Sequence, residues 1–254
     1  NARYDLDFYL EDLAGNQTWR YNERYDIYFD QTVPTISSAS TTESDNTYKQ
    51  GDNLSIKLTF DSPVYTTGTM RVTFETGDND TYVDISSWSI GSITQNKTFT
   101  YRVANNDLTT DLTIKEVSMV SGNIKDRANN ILTDYSIPQN LSANHTLNID
   151  GVFPTIQSIT SSKNNGTYGI AETMTIVTTF SEAVSLSAGG TLTTTMETGS
   201  TDRDVDVTTL SMASTASGTY TVVEGDASSD LTAASVTKQG TITDAAGNVM
   251  SNFD

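Results

Sequence analysis

Apolar and polar residues alternate along several stretches of this sequence, at residues 54–60, 70–74, 99–103 and 174–180. A period of two puts alternate side chains on opposite faces of a strand, so the pattern predicts strands with one buried and one solvated face. Clusters of Gly, Asn and Asp separate these stretches at short intervals, as in antiparallel sandwiches. Since no stretch has the periodicity of a long amphipathic helix, the sequence predicts an all-β fold.

The sequence also repeats itself at a spacing of about 120 residues, which indicates a tandem duplication. Residues 30–36 (DQTVPTI) recur as residues 150–156 (DGVFPTI), and residues 124–130 (IKDRANN) recur as residues 242–248 (ITDAAGN). We therefore predict two β-sandwich domains, called repeat 1 (residues 31–150) and repeat 2 (residues 151–254) below. Each repeat is long enough to bury a core of its own.

The two ends of the chain do not coincide with repeat boundaries. Residues 1–30 contain their own copy of the turn motif, DLAGN at residues 12–16, and are predicted to be the closing hairpin of a preceding repeat. Repeat 2 ends six residues after Asn248, whereas repeat 1 continues for twenty residues after Asn130, so repeat 2 is expected to lack its final strand. Either the chain is a section of a longer array, which the duplicated turn favours, or the N-terminal hairpin of one subunit completes repeat 2 of another by donor-strand exchange.

Composition and charge narrow the chemistry that this chain can carry. The formal net charge is −18, from 32 acidic and 14 basic residues, and there is no cysteine and one histidine. Thiol catalysis, disulfides and metal sites of Cys and His are therefore excluded, and so acidic a surface is not expected to bind nucleic acid. No apolar window of about 18 residues is present, so we expect no membrane insertion of this segment. The abundant carboxylates suit hard cations such as Ca²⁺.

The acidic residues favour calcium at the joints between repeats. Asp outnumbers Glu by 23 to 9, and Asp favours turns and cation-binding loops. Acids that recur at matched positions repel one another unless they are solvated or neutralised by a cation. An Asx turn that needs no metal is the alternative explanation for each of them. The predicted ligands are Asp30, Asp61, Asp107, Asp111 and Asp126 for repeat 1, Asp150, Glu182, Asp226, Asp230 and Asp244 for repeat 2, and Asp12 for the leading segment.

The remaining polar and aromatic features have ordinary structural explanations beside their functional ones. Asp78, Asp80 and Asp84 resemble part of an EF-hand loop but lack its central Gly and final Glu, so a solvated hairpin turn is the better interpretation. The aromatic run within residues 19–29 fits a carbohydrate platform or ordinary cross-strand packing. Because the acidic constellations recur in both repeats, we expect a structural role and no enzyme activity. Sequons that permit N-glycosylation occur at Asn16, Asn53, Asn79, Asn96, Asn140, Asn144 and Asn165.

A set of motifs recurs twice in the same order. It comprises residues 48–64, residues 179–184, residues 225–231, the turn at residues 242–248 and the joint at residues 150–155 (DGVFPT). In this order the motifs resemble the bacterial and archaeal immunoglobulin-like tandem repeats of large secreted surface proteins, of adhesin or surface-layer type. The chain departs from that pattern where Asn129-Asn130 replaces Gly-Asn and where Asp61-Ser62-Pro63 replaces Ser-Glu-Ala.

The resemblance implies tandem immunoglobulin-like β-sandwiches in an extracellular, rod-forming and often calcium-binding module at the cell surface. We therefore expect a structural segment of a fibre, stalk or surface layer, whose partners are neighbouring repeats or copies of itself. Two alternatives stay open: an adhesin module that recognises glycans or a host surface, and an accessory module of a secreted polysaccharide-degrading enzyme.

Overall fold

The computed structural model describes residues 2–4, 8–20 and 27–253, and the statements below concern these residues. The fold is all-β, as the alternation predicts. The helical segments within the described ranges are two single 3₁₀ turns, Ile90–Ser92 and Leu141–Ala143. Neither of these turns has the length or the apolar character that a membrane span requires.

Two short antiparallel ribbons precede repeat 1. β1 (Ala2–Tyr4) pairs with β4 (Ile27–Phe29), and β2 (Phe8–Glu11) pairs with β3 (Gln17–Arg20). Parts of the predicted closing hairpin, namely residues 1, 5–7 and 21–26 with Tyr21 and Tyr25 of the aromatic run, lie outside the described residues, as does residue 254. A two-stranded ribbon is marginally stable by itself in water.

Repeat 1 contains three sheets around one core. Its strands are β5 (Ile36–Thr41), β6 (Asn46–Lys49), β7 (Asn53–Thr66), β8 (Met70–Glu75), β9 (Tyr82–Ile85), β10 (Thr94–Arg102), β11 (Leu108–Thr109), β12 (Thr113–Met119), β13 (Ile124–Asp126) and β14 (Leu147–Asp150). In the first sheet β7 pairs antiparallel with β5, β10 and β13, and in the second β8 lies between β9 and β12. In the third, β14 lies between β11 and β6 and runs parallel to β6.

The central strand β7 shows why these residues form a sandwich-like core. Leu54, Ile56, Leu58 and Phe60 lie on one face and are almost fully buried, while the residues between them are more exposed. The apolar faces of the strands meet in a single cluster, in which the rings of Phe74 and Tyr101 lie 4.6 Å apart. Burial of this apolar face is the main stabilising contribution to repeat 1.

Repeat 2 has the same central strands but a divided core. Its strands are β15 (Ile156–Ser161), β16 (Thr173–Leu186), β17 (Thr191–Met196), β18 (Arg203–Val207), β19 (Ala213–Thr221), β20 (Ala233–Gln239) and β21 (Ile242–Thr243). β16 pairs with β15, β19 and β21, and β17 lies between β18 and β20. The buried residues of repeat 2 fall into two separate clusters, one around Phe180 and one around Met174.

The joint between the repeats begins directly after β14. The N–H of Gly151 donates to the Asp107 carbonyl oxygen at 2.7 Å, and the Asn106 N–H donates to the Gly151 carbonyl oxygen at 3.0 Å. A Cβ at this position would collide with the Ala104 carbonyl oxygen, so the close approach requires Gly. Within the described ranges no strand pairing crosses from one repeat to the other, and the repeats meet through loops.

Candidate metal centre at the joint between the repeats

One aspartate organises the turn that follows β13 in repeat 1 and the equivalent turn that follows β21 in repeat 2. In repeat 2, Asp244 Oδ1 accepts the Asn248 N–H at 2.8 Å, and Asp244 Oδ2 accepts the Asn248 side-chain amide at 2.8 Å. Gly247, between them, has φ of +91°, a conformation that Gly adopts readily. The same pair of bonds forms in the turns of Asp126 with Asn130 and of Asp12 with Asn16. The sequence motif is therefore an Asx-type turn, three times over.

Asn248 also connects its turn to the linker and to repeat 1. Its side-chain amide donates to the Asp150 carbonyl oxygen at 2.8 Å, and its Oδ1 accepts the Gln50 N–H at 3.0 Å. Lys49 Nζ donates to the neighbouring Gly247 carbonyl oxygen at 3.3 Å. Asn248 is buried and has its polar atoms paired, so a single side chain couples the end of repeat 2, the linker and the β6–β7 loop of repeat 1.

Three carboxylates lie close together beside these Asn248 contacts. Asp150 ends β14, Glu182 lies in β16, and Asp244 begins the closing turn of repeat 2. One oxygen from each carboxylate lies within 4.8 Å of the others. Asp150 and Glu182 are half-buried, and Asp244 is buried. The cluster thus joins the last strand of repeat 1 to two elements of repeat 2.

The negative charge of this cluster is uncompensated among the described residues. Burial, with the nearby charges of Asp244 and Asp150, raises the pKa of Glu182 to about 7. Burial also raises the pKa of Asp150, against the opposing effect of the hydrogen bond from the Val152 N–H. None of the ion pairs formed by described residues includes these three acids. The cluster therefore favours either a proton or a cation.

The donor set fits a hard divalent cation. Ca²⁺ takes six to eight oxygen ligands at about 2.3–2.6 Å, so ligand oxygens around it lie within about 5 Å of one another. The Glu182 carboxylate takes part in none of the hydrogen bonds found in the described ranges. Asp244 Oδ1 accepts two N–H groups, from Gly247 and Asn248, whereas Asp244 Oδ2 accepts one hydrogen bond and keeps a further lone pair, because each carboxylate oxygen has two. Backbone carbonyls and water would have to supply the remaining ligands.

The equivalent joint before repeat 1 has only two of the three acids. Asp30 and Asp126 correspond to Asp150 and Asp244, and the Asn130 amide donates to the Asp30 carbonyl oxygen at 3.0 Å, as Asn248 does at the second joint. The counterpart of Glu182 at the spacing of 120 residues is Ser62. The first joint therefore lacks the third carboxylate that the second joint has.

Asp61, a predicted ligand, has a different role. Its Oδ1 accepts the Thr35 N–H at 2.9 Å and its Oδ2 accepts the Thr35 hydroxyl at 2.7 Å. Ser181 Oγ accepts the Thr155 N–H in the same way in repeat 2, which identifies Ser181 as the counterpart of Asp61. Burial raises the pKa of Asp61, but the hydrogen bonds from Thr35 and Ser62 outweigh it and lower the pKa overall.

Asp107 and Asp226 lie elsewhere and hold loops in place. Asp107 Oδ2 accepts the Tyr101 hydroxyl at 2.7 Å and the Ala104 N–H at 2.8 Å. Asp226 Oδ2 accepts the Tyr220 hydroxyl at 2.8 Å and the Val223 N–H at 3.0 Å. Their remaining oxygens accept from Thr81 in repeat 1 and from Arg203 in repeat 2. Each of these two acids thus accepts three hydrogen bonds from groups of its own repeat, and neither belongs to the group of Asp150, Glu182 and Asp244.

The other predicted ligands are not brought into the cluster. Asp111 Oδ1 is buried, and no hydrogen bond to it is found within the described part of the chain. Asp230 and Asp12 are exposed. Among the described residues, Asp150, Glu182 and Asp244 form the only group of three or more potential ligands within such a distance.

Of the seven sequons, six present an exposed asparagine and one does not. Asn140 is half-buried, and its amide donates to the Ile114 carbonyl oxygen at 2.8 Å while its Oδ1 accepts the Ile114 N–H at 3.0 Å. Asn16 is exposed but donates its amide to Asp12. The exposed sequon asparagines are Asn16, Asn53, Asn79, Asn96, Asn144 and Asn165.

Sequence reasoning did not single out two residues of this joint, Lys49 and Gln50, because no sequence signal marks the contact of β6 and the β6–β7 loop with the Asp244 turn. It did record that Ser62 stands where repeat 2 has Glu182, but it did not connect this difference with the two joints. No protein-family model matches this sequence, and a sequence search finds no significantly similar curated protein.

Proposed function

We propose that this chain is a rod-forming segment of an extracellular structural protein, with two tandem immunoglobulin-like sandwiches whose joint is stiffened by Ca²⁺. The observation that carries the proposal is the group of three carboxylates contributed by both repeats within 4.8 Å. A cation held there would bind the end of β14 to β16 and to the Asp244 turn. It would thereby limit bending between the repeats.

The surroundings of the three acids support a mechanical role over a catalytic one. Pro154, two residues into the linker after Val152, is buried and fixes its own φ. The Asn248 bonds to Asp150 and Gln50 already restrict the joint, and the cation would neutralise the repulsion that remains. Extracellular calcium modules bind with Kd of about 10⁻⁴–10⁻³ M, a range that matches a site with few protein ligands.

Two measurements test this proposal: isothermal titration calorimetry with Ca²⁺, and thermal unfolding in the presence of Ca²⁺ and of EDTA. We expect one site per chain, and a stabilisation of about 2.7 kcal/mol when free Ca²⁺ is about 100 times Kd. Glu182→Gln should weaken binding by about tenfold or more, since affinity depends on the number of ligand charges. Glu224→Gln, which neutralises an exposed acid away from the joint, should leave the affinity unchanged.

Small-angle scattering of the same samples tests the mechanical consequence. Addition of Ca²⁺ to the wild-type chain should narrow the distribution of maximum dimensions, and E182Q should remove this response. The proposal would be contradicted if the wild-type chain did not bind Ca²⁺ in the millimolar range, or if E182Q and E224Q bound Ca²⁺ equally well.

A further inference from the structure

The loop between β15 and β16 holds the one Asn-Gly pair of the sequence, Asn165-Gly166. The loop comprises residues 162–172, and both residues of the pair are exposed. An asparagine before glycine is prone to lose its side-chain amide, because no Cβ hinders the approach of the next backbone nitrogen to the side-chain carbonyl carbon. Exposed loop tips are also the places where a chain tolerates change best.

The fold does not require glycine at position 166. Gly166 has no left-handed φ, in contrast to most glycines of the described turns. A Cβ added there would lie 3.5 Å from the Tyr168 hydroxyl oxygen, which is an ordinary contact distance. The Gly166 N–H takes part in none of the hydrogen bonds found in the described ranges. The nitrogen is therefore available for reaction, and the loop has room for alanine.

Repeat 1 forms the same loop without an Asn-Gly pair. The Tyr48 hydroxyl donates to the Ser44 carbonyl oxygen at 2.7 Å, and the Tyr168 hydroxyl donates to the Asn164 carbonyl oxygen at 2.5 Å. At the spacing of 120 residues, the residue that follows Asn164 corresponds to Asp45. The loop is therefore compatible with an aspartate at position 165, which is the residue that loss of the amide creates.

The Asp150-Gly151 pair at the joint has the same type of sequence but the opposite environment. Aspartate before glycine can close the same five-membered ring, with loss of water in place of ammonia. Gly151 is buried, and its N–H donates to the Asp107 carbonyl oxygen at 2.7 Å. This nitrogen is held away from the reaction, so the structure protects one pair and leaves the other accessible.

We propose that Asn165 is a modification site at which spontaneous deamidation and N-glycosylation compete for the same side-chain amide. In deamidation the Gly166 nitrogen attacks Asn165 Cγ and forms a new C–N bond. The bond from Cγ to the side-chain nitrogen breaks, and this nitrogen takes up the proton of the Gly166 N–H and leaves as ammonia. Water then opens the resulting succinimide at either carbonyl, which gives aspartate or isoaspartate at position 165.

The sequon makes the two modifications mutually exclusive. Thr167 completes the sequence Asn-Gly-Thr, and this is the one sequon of the seven with glycine in its middle position. A glycan on the side-chain nitrogen turns the leaving group from ammonia into a bulky glycosylamine, which hinders closure of the ring. The glycan thus keeps residue 165 neutral, whereas its absence leads to one more negative charge on a chain of formal net charge −18.

Ageing of the full chain in mildly alkaline buffer tests the deamidation step, with protein from a host that does not glycosylate. Peptide mapping by mass spectrometry with electron-transfer fragmentation distinguishes aspartate from isoaspartate. We expect both products at position 165, and no isoaspartate at position 150 until the chain is unfolded in urea. Gly166→Ala should lower the rate at Asn165 to that of the exposed Asn144, with an unchanged circular dichroism spectrum. An intact Asn165, or equal rates in G166A and the wild-type chain, overturns the proposal.

Expression in a host that glycosylates Asn-x-Ser/Thr tests the competition. Thr167→Ala removes the sequon and keeps the Asn-Gly pair, and Thr167→Ser keeps both as the matched control. Glycans are trimmed with an endoglycosidase that leaves the innermost sugar on the asparagine, so that the enzyme itself creates no aspartate. After ageing, glycosylated Asn165 should be intact in the wild-type chain and in T167S, whereas T167A should be deamidated. Equal deamidation with and without the glycan overturns the competition, and so does a bare Asn165 in a chain that carries a glycan on Asn144. Both tests are independent of Ca²⁺ and of assembly, because they concern one loop of repeat 2.

Discussion

Glu182 links protonation to folding in the opposite direction from most carboxylates. Burial together with two neighbouring carboxylates raises the pKa of Glu182 to about 7, from an ordinary value of 4.5. Between these values the folded chain keeps a proton that the unfolded chain has released, so the free energy of unfolding decreases as the pH rises through this interval. Above pH 7 the folded chain carries the full repulsion of the cluster unless a cation neutralises it.

This linkage predicts the pH dependence of the metal-free protein. In EDTA we expect the thermal midpoint of the wild-type chain to fall from about pH 5 to about pH 7.5, in the sense required by proton linkage. Glu182→Gln should reduce that fall, since glutamine does not titrate. Differential scanning calorimetry of both proteins gives the comparison, and parallel pH profiles would contradict the assignment. In Ca²⁺ the thermal midpoint of the wild-type chain should fall less over this pH range, because the bound cation replaces the proton that Glu182 loses.

The tyrosine that binds an aspartate in each repeat gives a second prediction at this scale. Tyr101 is fully buried and donates to the buried Asp107, so Tyr101→Phe leaves a buried acceptor short of a donor and should cost about 1–3 kcal/mol. Tyr220→Phe should cost less, because Asp226 also pairs with Arg203 and is less buried. Urea unfolding of the two variants measures the difference. Equal losses would show that the Arg203 contact adds nothing.

At the scale of elements, alternation identified the strands that form the centre of each repeat. It predicts residues 54–60 and 174–180, which lie within β7 and β16, and residues 70–74, which lie within β8. It does not predict β14 or its parallel pairing with β6, because that strand is short and its partners lie about 100 residues away in sequence. Local pattern carries no information on such pairing.

The candidate site shows the same division between local and distant information. The Asp244 turn and the Asp150 joint were recognisable because each is a local motif that recurs. Their approach to Glu182 depends on the fold of repeat 2 and on the contact of Asn248 with repeat 1. Asp107 and Asp226 recur equally well but bind tyrosines, so recurrence alone does not separate a ligand from a structural acid.

The first joint offers a gain-of-function prediction. Asp30 and Asp126 are in place there, and Ser62 occupies the position of Glu182. Ser62→Glu should therefore supply the third carboxylate and create a second calcium site, which raises the binding stoichiometry from one to two. Calorimetric titration detects the change, and Ser62→Gln serves as the control because it adds similar bulk without charge. A stoichiometry that stays at one would show that the two joints differ in geometry.

The environment of Asn140 leads to a prediction about modification. Asn140 is a sequon asparagine whose amide and carbonyl both bind the backbone of Ile114. A glycan on the Asn140 amide would displace this pairing, so we expect no glycan there when the chain is expressed in a host that glycosylates Asn-x-Ser/Thr. Exposed Asn53 and Asn144 serve as reporters that the machinery is active. Glycopeptide mass spectrometry measures the occupancy of each site, and a glycan at Asn140 would mean that the hydrogen bonds to Ile114 do not protect this side chain.

At the scale of the whole molecule, the two repeats share a sequence pattern but differ in how completely they are closed. Repeat 1 has one continuous core, whereas the core of repeat 2 is split into two clusters. The group of Asp150, Glu182 and Asp244 therefore lies between a repeat with a continuous core and a repeat with a divided one.

This asymmetry predicts where the chain opens first. Amide exchange reports local opening, which is easiest where few apolar contacts hold a strand. We expect β15 and β20 of repeat 2 to exchange faster than β5 and β12 of repeat 1, while the central strands β7 and β16 both exchange slowly, as an internal control. Hydrogen exchange with mass spectrometry, at a concentration well below any association, measures this order. Equal exchange in the two repeats would mean that the divided core of repeat 2 does not weaken the strands that pack on it.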